Sequence, residues 1–132
     1  MYRFSEKSKA ELRTCDRKLQ EILNEVIKHF DCTVIKGYRG EAEQNEAFRN
    51  GMSKLQFPDS PHNHHPSYAV DVVAYPIQWK NWHKHYYFAG FVKGVAAAKG
   101  INLRSGLDWD NDNDLKDQTF MDAPHFELMP DE

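Results

Sequence analysis

The sequence predicts an α+β domain in which about three helices pack on one face of a small antiparallel sheet. Two stretches, 8–30 and 79–99, carry apolar residues at helical spacing. Around them lie short β-branched or apolar runs of strand length, at 32–35, 69–74, 101–104 and 126–128. Nothing along the chain reads as an internal repeat or a low-complexity linker. With 132 residues, 40% of them hydrophobic, there is apolar surface for one sizeable core, so a single domain over 1–132 is expected.

Ser8-Lys9-Ala10-Glu11 has the form of a capping box, and Leu12, Leu19, Ile22, Leu23, Val26, Ile27 and Phe30 follow at helical spacing, which predicts a first helix over 8–30. Cys32-Thr33-Val34-Ile35 predicts a strand ending at Gly37. Residues 41–50 read as a second helix, with Gly51 where a helix end takes a left-handed residue. Residues 52–67 are rich in Pro, Ser, His and Asn and lack periodicity, so they form a long loop of the kind that carries function. Ala69-Val70-Asp71-Val72-Val73-Ala74 is an apolar run broken by one carboxylate, most simply a central strand. Residues 79–99, closed by Gly100, place Trp82, Tyr86, Ala89, Val92, Val95 and Ala96 on one face and predict a third helix. Two short strands follow, separated by an acidic, Asn-rich loop over 108–117.

Charge and cysteine content narrow the class. The formal charge of −3 supplies no basic field to concentrate a polyanion, so nucleic acid is not an expected partner. Two cysteines, Cys15 and Cys32, are too few for a disulfide framework and read as buried thiols, with one bridge left open. Met1-Tyr2-Arg3-Phe4-Ser5-Glu6-Lys7 turns charged at once and has no apolar stretch of signal-peptide or membrane-span length. The expectation is a monomer made in the cytoplasm, without stable membrane insertion, that something else must release if its substrate lies outside the membrane.

The chemistry is concentrated in Ser60-Pro61-His62-Asn63-His64-His65-Pro66-Ser67-Tyr68-Ala69-Val70-Asp71. A loop delivers imidazoles, and an ionised carboxylate follows on an otherwise apolar strand, where it is costly unless something positive meets it. A metal ion would do so. Asp122-Ala123-Pro124-His125-Phe126-Glu127-Leu128 adds one more imidazole between two carboxylates. Two His and one Asp, with a position left for water, form the ligand set of a catalytic zinc site. Such a site needs a nearby carboxylate to move a proton from water to the leaving amine, and Asp122 and Glu127 are the candidates.

Gly37-Tyr38-Arg39 followed by Gln44, then Ser60-x-His62-Asn63-x-x-Pro66-Ser67-x-Ala69-Val70-Asp71, then Asp108-Trp109 and Asp122-x-x-His125-Phe126-Glu127-Leu128, resemble the D-Ala-D-Ala metallopeptidase family. That family includes VanX- and VanY-type dipeptidases and carboxypeptidases and the L-alanyl-D-glutamate endopeptidases of phage endolysins. The resemblance spans nearly the whole chain and implies a hedgehog/D-Ala-D-Ala-peptidase-like fold. It implies Zn2+ bound by His62, Asp71 and His125, with Asp122 as general base and acid. It further implies Arg39 stabilising the oxyanion or holding a substrate carboxylate, and Gln44, Ser60 and Trp109 lining the cleft. Glu127 is then a group that orients a ligand. The usual family spacing would make His64 the first ligand; the longer loop of the phage-type motif, which this sequence resembles, points to His62 instead, with His65 facing solvent.

Each residue also has a plainer reading. The three loop histidines, taken alone, could form a polar surface, and Arg39 alone would be a surface ion-pair partner. Asp108, Asp110, Asp112 and Asp114 alternate as in a calcium loop, but Leu115 and Met121 occupy the places of its glycine and glutamate, so a solvated acidic loop is expected ahead of a regulatory cation site. Trp79, Trp82, Tyr86 and Tyr87 read as helix packing rather than a glycan platform. The leading function is an endolysin that cuts the L-Ala–D-Glu bond of the peptidoglycan stem peptide, made in the host cytoplasm and reaching the cell wall by holin-type release. A D-Ala-D-Ala carboxypeptidase or dipeptidase, and a non-catalytic wall-recognition or virion module, are the alternatives.

Overall fold

The computed structural model describes residues 1–116 and 121–130. Helices α1 (Glu6–Leu12) and α2 (Arg17–Val26) lead into strand β1 (Cys32–Lys36) and helix α3 (Glu41–Arg49). Strand β2 (Ala69–Ala74), helix α4 (Trp82–Ala98) and strands β3 (Leu103–Ser105) and β4 (His125–Leu128) complete the order. A 3-10 turn, Pro61–Asn63, sits inside the long loop before β2. The strands form one antiparallel sheet in the order β1-β2-β4-β3. The α+β architecture is as expected from the sequence, with four α-helices among the described residues instead of three.

The extra helix comes from a break. The single helix expected over 8–30 is divided at residues 13–16, because that backbone is committed elsewhere. Ser67 N–H donates to the Thr14 carbonyl and Asp16 N–H to the Ser67 carbonyl, both at 2.8 Å. Asp16 then caps α2 by accepting from Lys18 N–H at 2.8 Å. Ser5, not Ser8, caps α1. Ser8 is buried, and its hydroxyl accepts the N–H of Val34 at 3.0 Å; Glu11 and Thr14 accept those of Gly37 and Tyr38. β1 is an edge strand, so α1 and the break that follows it satisfy donors that would otherwise be orphaned. Gly37 permits this approach, since a Cβ there would collide with Thr14 Oγ1 and the Glu11 carbonyl.

Side chains alternate across β2, so Val70, Val72 and Ala74 point to one face and Asp71 to the other. On the first face they join Phe126 and Leu103 against Leu19, Ile22, Leu23 and Val26 of α2 and Phe88, Val92 and Ala96 of α4. The opposite face carries Asp71, His125 and Glu127. α4 buries His85, Phe88, Ala89, Val92 and Ala96. Trp82 and Tyr86, predicted on its packing face, are 40% and 36% exposed. The helix is apolar nearly all round, so periodicity alone could not select the stripe that packs.

Cys15 and Cys32 are free and buried. Burial pushes both thiols up to about 12. The folded chain therefore keeps protons that an unfolded chain, with thiols near about 8.5, has lost. The stability this confers is complete below the ordinary thiol range and is lost as pH rises toward about 12. At about pH 8, Ellman's reagent is expected to modify neither thiol in the native protein and both after denaturation.

Candidate active site

His62 is placed by the turn that contains it. Ser60 caps that turn, its hydroxyl accepting the His62 N–H at 3.2 Å, while Asn63 Oδ1 accepts the Ser60 N–H at 3.0 Å. Arg39 N–H donates to the His62 carbonyl at 2.8 Å, and Asn63 Nδ2 donates to the Arg39 carbonyl at 2.9 Å. The imidazole, 2% exposed, bonds the Gly37 carbonyl through Nδ1 at 2.7 Å. A carbonyl only accepts, so Nδ1 carries a proton, and Nε2 is the ring nitrogen turned to Asp71. His64 and His65 are exposed, stacked on Tyr68 and set against Tyr38.

Asp71 Oδ1 lies 3.2 Å from His62 Nε2 and 3.4 Å from His125 Nδ1. β4 pairs with β2 so that Asp71 and His125 are register partners, which puts both side chains on one face. His125 Nε2 lies 2.8 Å from Glu127 Oε1, and Arg104 Nη2 holds Glu127 Oε2 at 2.9 Å. His62, Asp71 and His125 thus form a group able to hold a metal ion, their ligand atoms within 4.8 Å of one another. The donor set fits zinc: two imidazoles with their outer N–H groups bonded and their inner nitrogens turned to one carboxylate. Burial pushes the Asp71 carboxyl up, but the charges and hydrogen bonds of His62 and His125 outweigh it and hold the group well below the usual carboxylate range. Burial likewise opposes charge on His125, yet Asp71 and Glu127 together raise it to about 9. Both shifts mark the pocket as built for a positive charge.

Asp122 lines the same cavity as His62 and His125, of about 470 Å³. Burial and then the Asp71 charge raise its carboxyl to about 6, against the pull of His125, His62 and Arg39. A carboxyl in that range can both take and return a proton near neutrality. Its backbone is clamped: Asp122 N–H donates to the Gly106 carbonyl at 2.9 Å, and Gly106 N–H to the His125 carbonyl at 2.7 Å. A Cβ at Gly106 would collide with the Asp122 carbonyl. Gly106→Ala is therefore expected to displace Asp122 and cut kcat on peptidoglycan up to about 100-fold, the cost of an ångström-scale misplacement, as read by a turbidity assay at matched folded fraction.

Arg39, Ser60 and Trp109 line the cavity. Gln44 does not. It is fully buried one layer beneath, its Oε1 accepting from Arg39 Nη1 at 3.0 Å and its Nε2 donating to the Leu55 carbonyl at 2.7 Å. Its amide is consumed in bracing Arg39 and the 53–55 segment, which corrects the expectation that it lines the cleft. Arg39 Nη2 reaches Asp71 Oδ2 at 3.3 Å. Arg104, absent from the sequence reading, lines the cavity, donates to the Trp109 carbonyl at 3.0 Å and lies 5.4 Å over the Trp109 ring. Its only signal was a basic residue on a short strand, which is too common to single out.

The acidic loop is less uniform than expected. Asp110, Asp112 and Asp114 are exposed, but Asp108 is 4% exposed and accepts the Asn113 N–H at 2.8 Å. Asp108, Asp110 and Asp112 gather within 4.8 Å as a second acidic group. The end of the predicted loop, Asp117, lies outside the described residues.

A family model described as phage L-alanyl-D-glutamate peptidase matches residues 1–129. The chain belongs to this family. The L-alanyl-D-glutamate peptidase of Escherichia phage T5 is 26% identical over 136 residues, spanning 97% of this chain and 98% of that protein. The crystal structure of Serratia marcescens L-Ala D-Glu endopeptidase ChiX matches with a TM-score of 0.76 at 29% identity, over 96% of this chain and 89% of that one. Membership of the phage L-alanyl-D-glutamate peptidase family agrees with the phage-type form of the Ser60-to-Asp71 motif and with the α+β fold.

Proposed function

We propose that the chain, acting over 1–132 as one catalytic domain, is a zinc-dependent endolysin that hydrolyses the L-Ala–D-Glu bond of the peptidoglycan stem peptide. The observation that carries this reading is the meeting of His62, Asp71 and His125 at a cavity that His62, His125 and Asp122 line together, in a member of the phage L-alanyl-D-glutamate peptidase family. A cavity of about 470 Å³ suits a few residues of peptide. Zinc, when bound by His62, Asp71 and His125, supplies Lewis acidity at the scissile carbonyl and lowers the pKa of water.

The chain's own groups do the rest. Asp122 accepts the proton of the attacking water and delivers it to the leaving D-Glu nitrogen. Arg39 offers its guanidinium to the oxygen on which charge develops or to a substrate carboxylate. Glu127, held by Arg104, fixes the ring of His125 so that Nδ1 faces Asp71. Ser60 and Trp109 form walls that position the peptide. Synthesis in the host cytoplasm and holin-type release complete the proposal; among the described residues no helix is long and apolar enough to cross a membrane.

Treatment with EDTA is expected to abolish lysis of purified peptidoglycan, and one equivalent of zinc to restore it. Full activity after exhaustive chelation would contradict the proposal.

A further inference from the structure

We propose that the turn before α4 and the first half of that helix form a docking surface for an anionic lipid bilayer. Trp79, Trp82 and Tyr86 are 52%, 40% and 36% exposed. They belong to one surface: the Trp82 and Trp79 rings lie 5.4 and 6.2 Å from the His85 ring, and the Tyr86 ring lies 6.0 Å from that of Trp82. Scattered exposed apolar residues need no explanation, but a contiguous aromatic patch marks an interaction site.

Charge identifies the occupant. Residues 74–90, the turn and the first half of α4, contain no Asp or Glu, although 20 occur overall, and carry Lys80 and Lys84. An acidic protein of formal charge −3 thus carries one segment with only positive charge, in which Lys80 follows Trp79 directly and Lys84 Nζ donates to the Pro76 carbonyl of the same turn at 3.0 Å. Trp and Tyr rings with polar tips, beside ammonium groups on apolar stems, are suited to the headgroup region of a bilayer. Negatively charged lipid attracts such a surface, and screening by salt weakens the attraction.

Position separates this surface from the cleft. α4 packs on the sheet face that carries Val70 and Val72, whereas Asp71 and His125 project from the other face. A peptide held at the metal group therefore lies across the sheet from the aromatic patch. One side of the molecule faces the wall peptide and the other a lipid surface, to which it binds peripherally.

The test is co-sedimentation of the full chain with phosphatidylglycerol/phosphatidylcholine vesicles, set against phosphatidylcholine alone and against lipid-free murein. The native chain is expected to bind the anionic vesicles at low salt, and brominated acyl chains to quench its tryptophan fluorescence. Lys80→Glu with Lys84→Glu should weaken binding at least about 30-fold, from roughly one five-fold factor per lysine. Trp79→Ser with Trp82→Ser should remove the quenching, and both double variants should digest lipid-free murein at the native rate. No binding to anionic vesicles, or equal binding to neutral ones, would overturn the proposal. So would a loss of murein binding in these variants, which would make the patch a glycan surface.

Discussion

Asp122→Asn is expected to lower kcat on peptidoglycan by about 10²- to 10⁴-fold, the range for loss of a general acid–base group, while metal content and thermal midpoint stay near native. Asn fills the same space and keeps the backbone clamp to Gly106 and His125, so the fold has no reason to yield. What disappears is the exchangeable carboxyl proton. Asp122 lines the same cavity as His62 and His125. Because it is outside the ligand set, KM should move little while kcat collapses. An Asp122→Asn variant that keeps native kcat would remove Asp122 from the mechanism and leave Glu127, already bonded to His125 and Arg104, as the next carboxylate to test.

The second large effect separates two neighbouring histidines. His62→Ala is expected to lower zinc affinity by more than the roughly 10- to 100-fold typical of an outer-shell partner, and activity with it. The imidazole is buried, its Nδ1 is tied to the Gly37 carbonyl, and Nε2 is turned to Asp71, so no neighbouring side chain can replace it. His64→Ala should change either quantity by no more than about two-fold, as for an ordinary surface substitution, since His64 is exposed against Tyr68. Metal analysis after dialysis, alongside a turbidity assay, checks both. Equal losses in the two variants would contradict the assignment of the first ligand.

Much of the architecture was legible before any coordinates. β2 stands at the residues its apolar run marked, and Gly51 and Gly100, with φ of 75° and 70°, end their helices as their positions suggested. These features depend on local chemistry, which a sequence carries openly. The break between α1 and α2 was hidden because its cause is tertiary: Thr14 and Asp16 pair with Ser67, far along the chain. Thr14-Cys15-Asp16 did hold a weak local signal, a β-branched residue and a capping carboxylate inside an otherwise helical run. The buried stripe of α4 was hidden for the opposite reason, since nearly every face of that helix is apolar.

The site divides the same way. His62, Asp71 and His125 could be picked out because metal ligands are rare residue types in a motif of fixed order, and the structure brings the three together. Arg104 could not, because its role depends on β3 pairing with β4 so that Arg104 stands opposite Glu127. Gln44 was legible as a motif residue but not as a buried brace, a distinction set by which layer α3 occupies. Ser60 and Asn63 read as parts of one motif, and only the capped turn explains why both accompany His62.

The most direct test of the central claim is mass spectrometry of the fragments released when the zinc-loaded chain digests purified Gram-negative peptidoglycan. The account predicts fragments newly ending at L-Ala and newly beginning at D-Glu, both absent when EDTA is present. Release of terminal D-Ala alone, with the L-Ala–D-Glu bond intact, would contradict it.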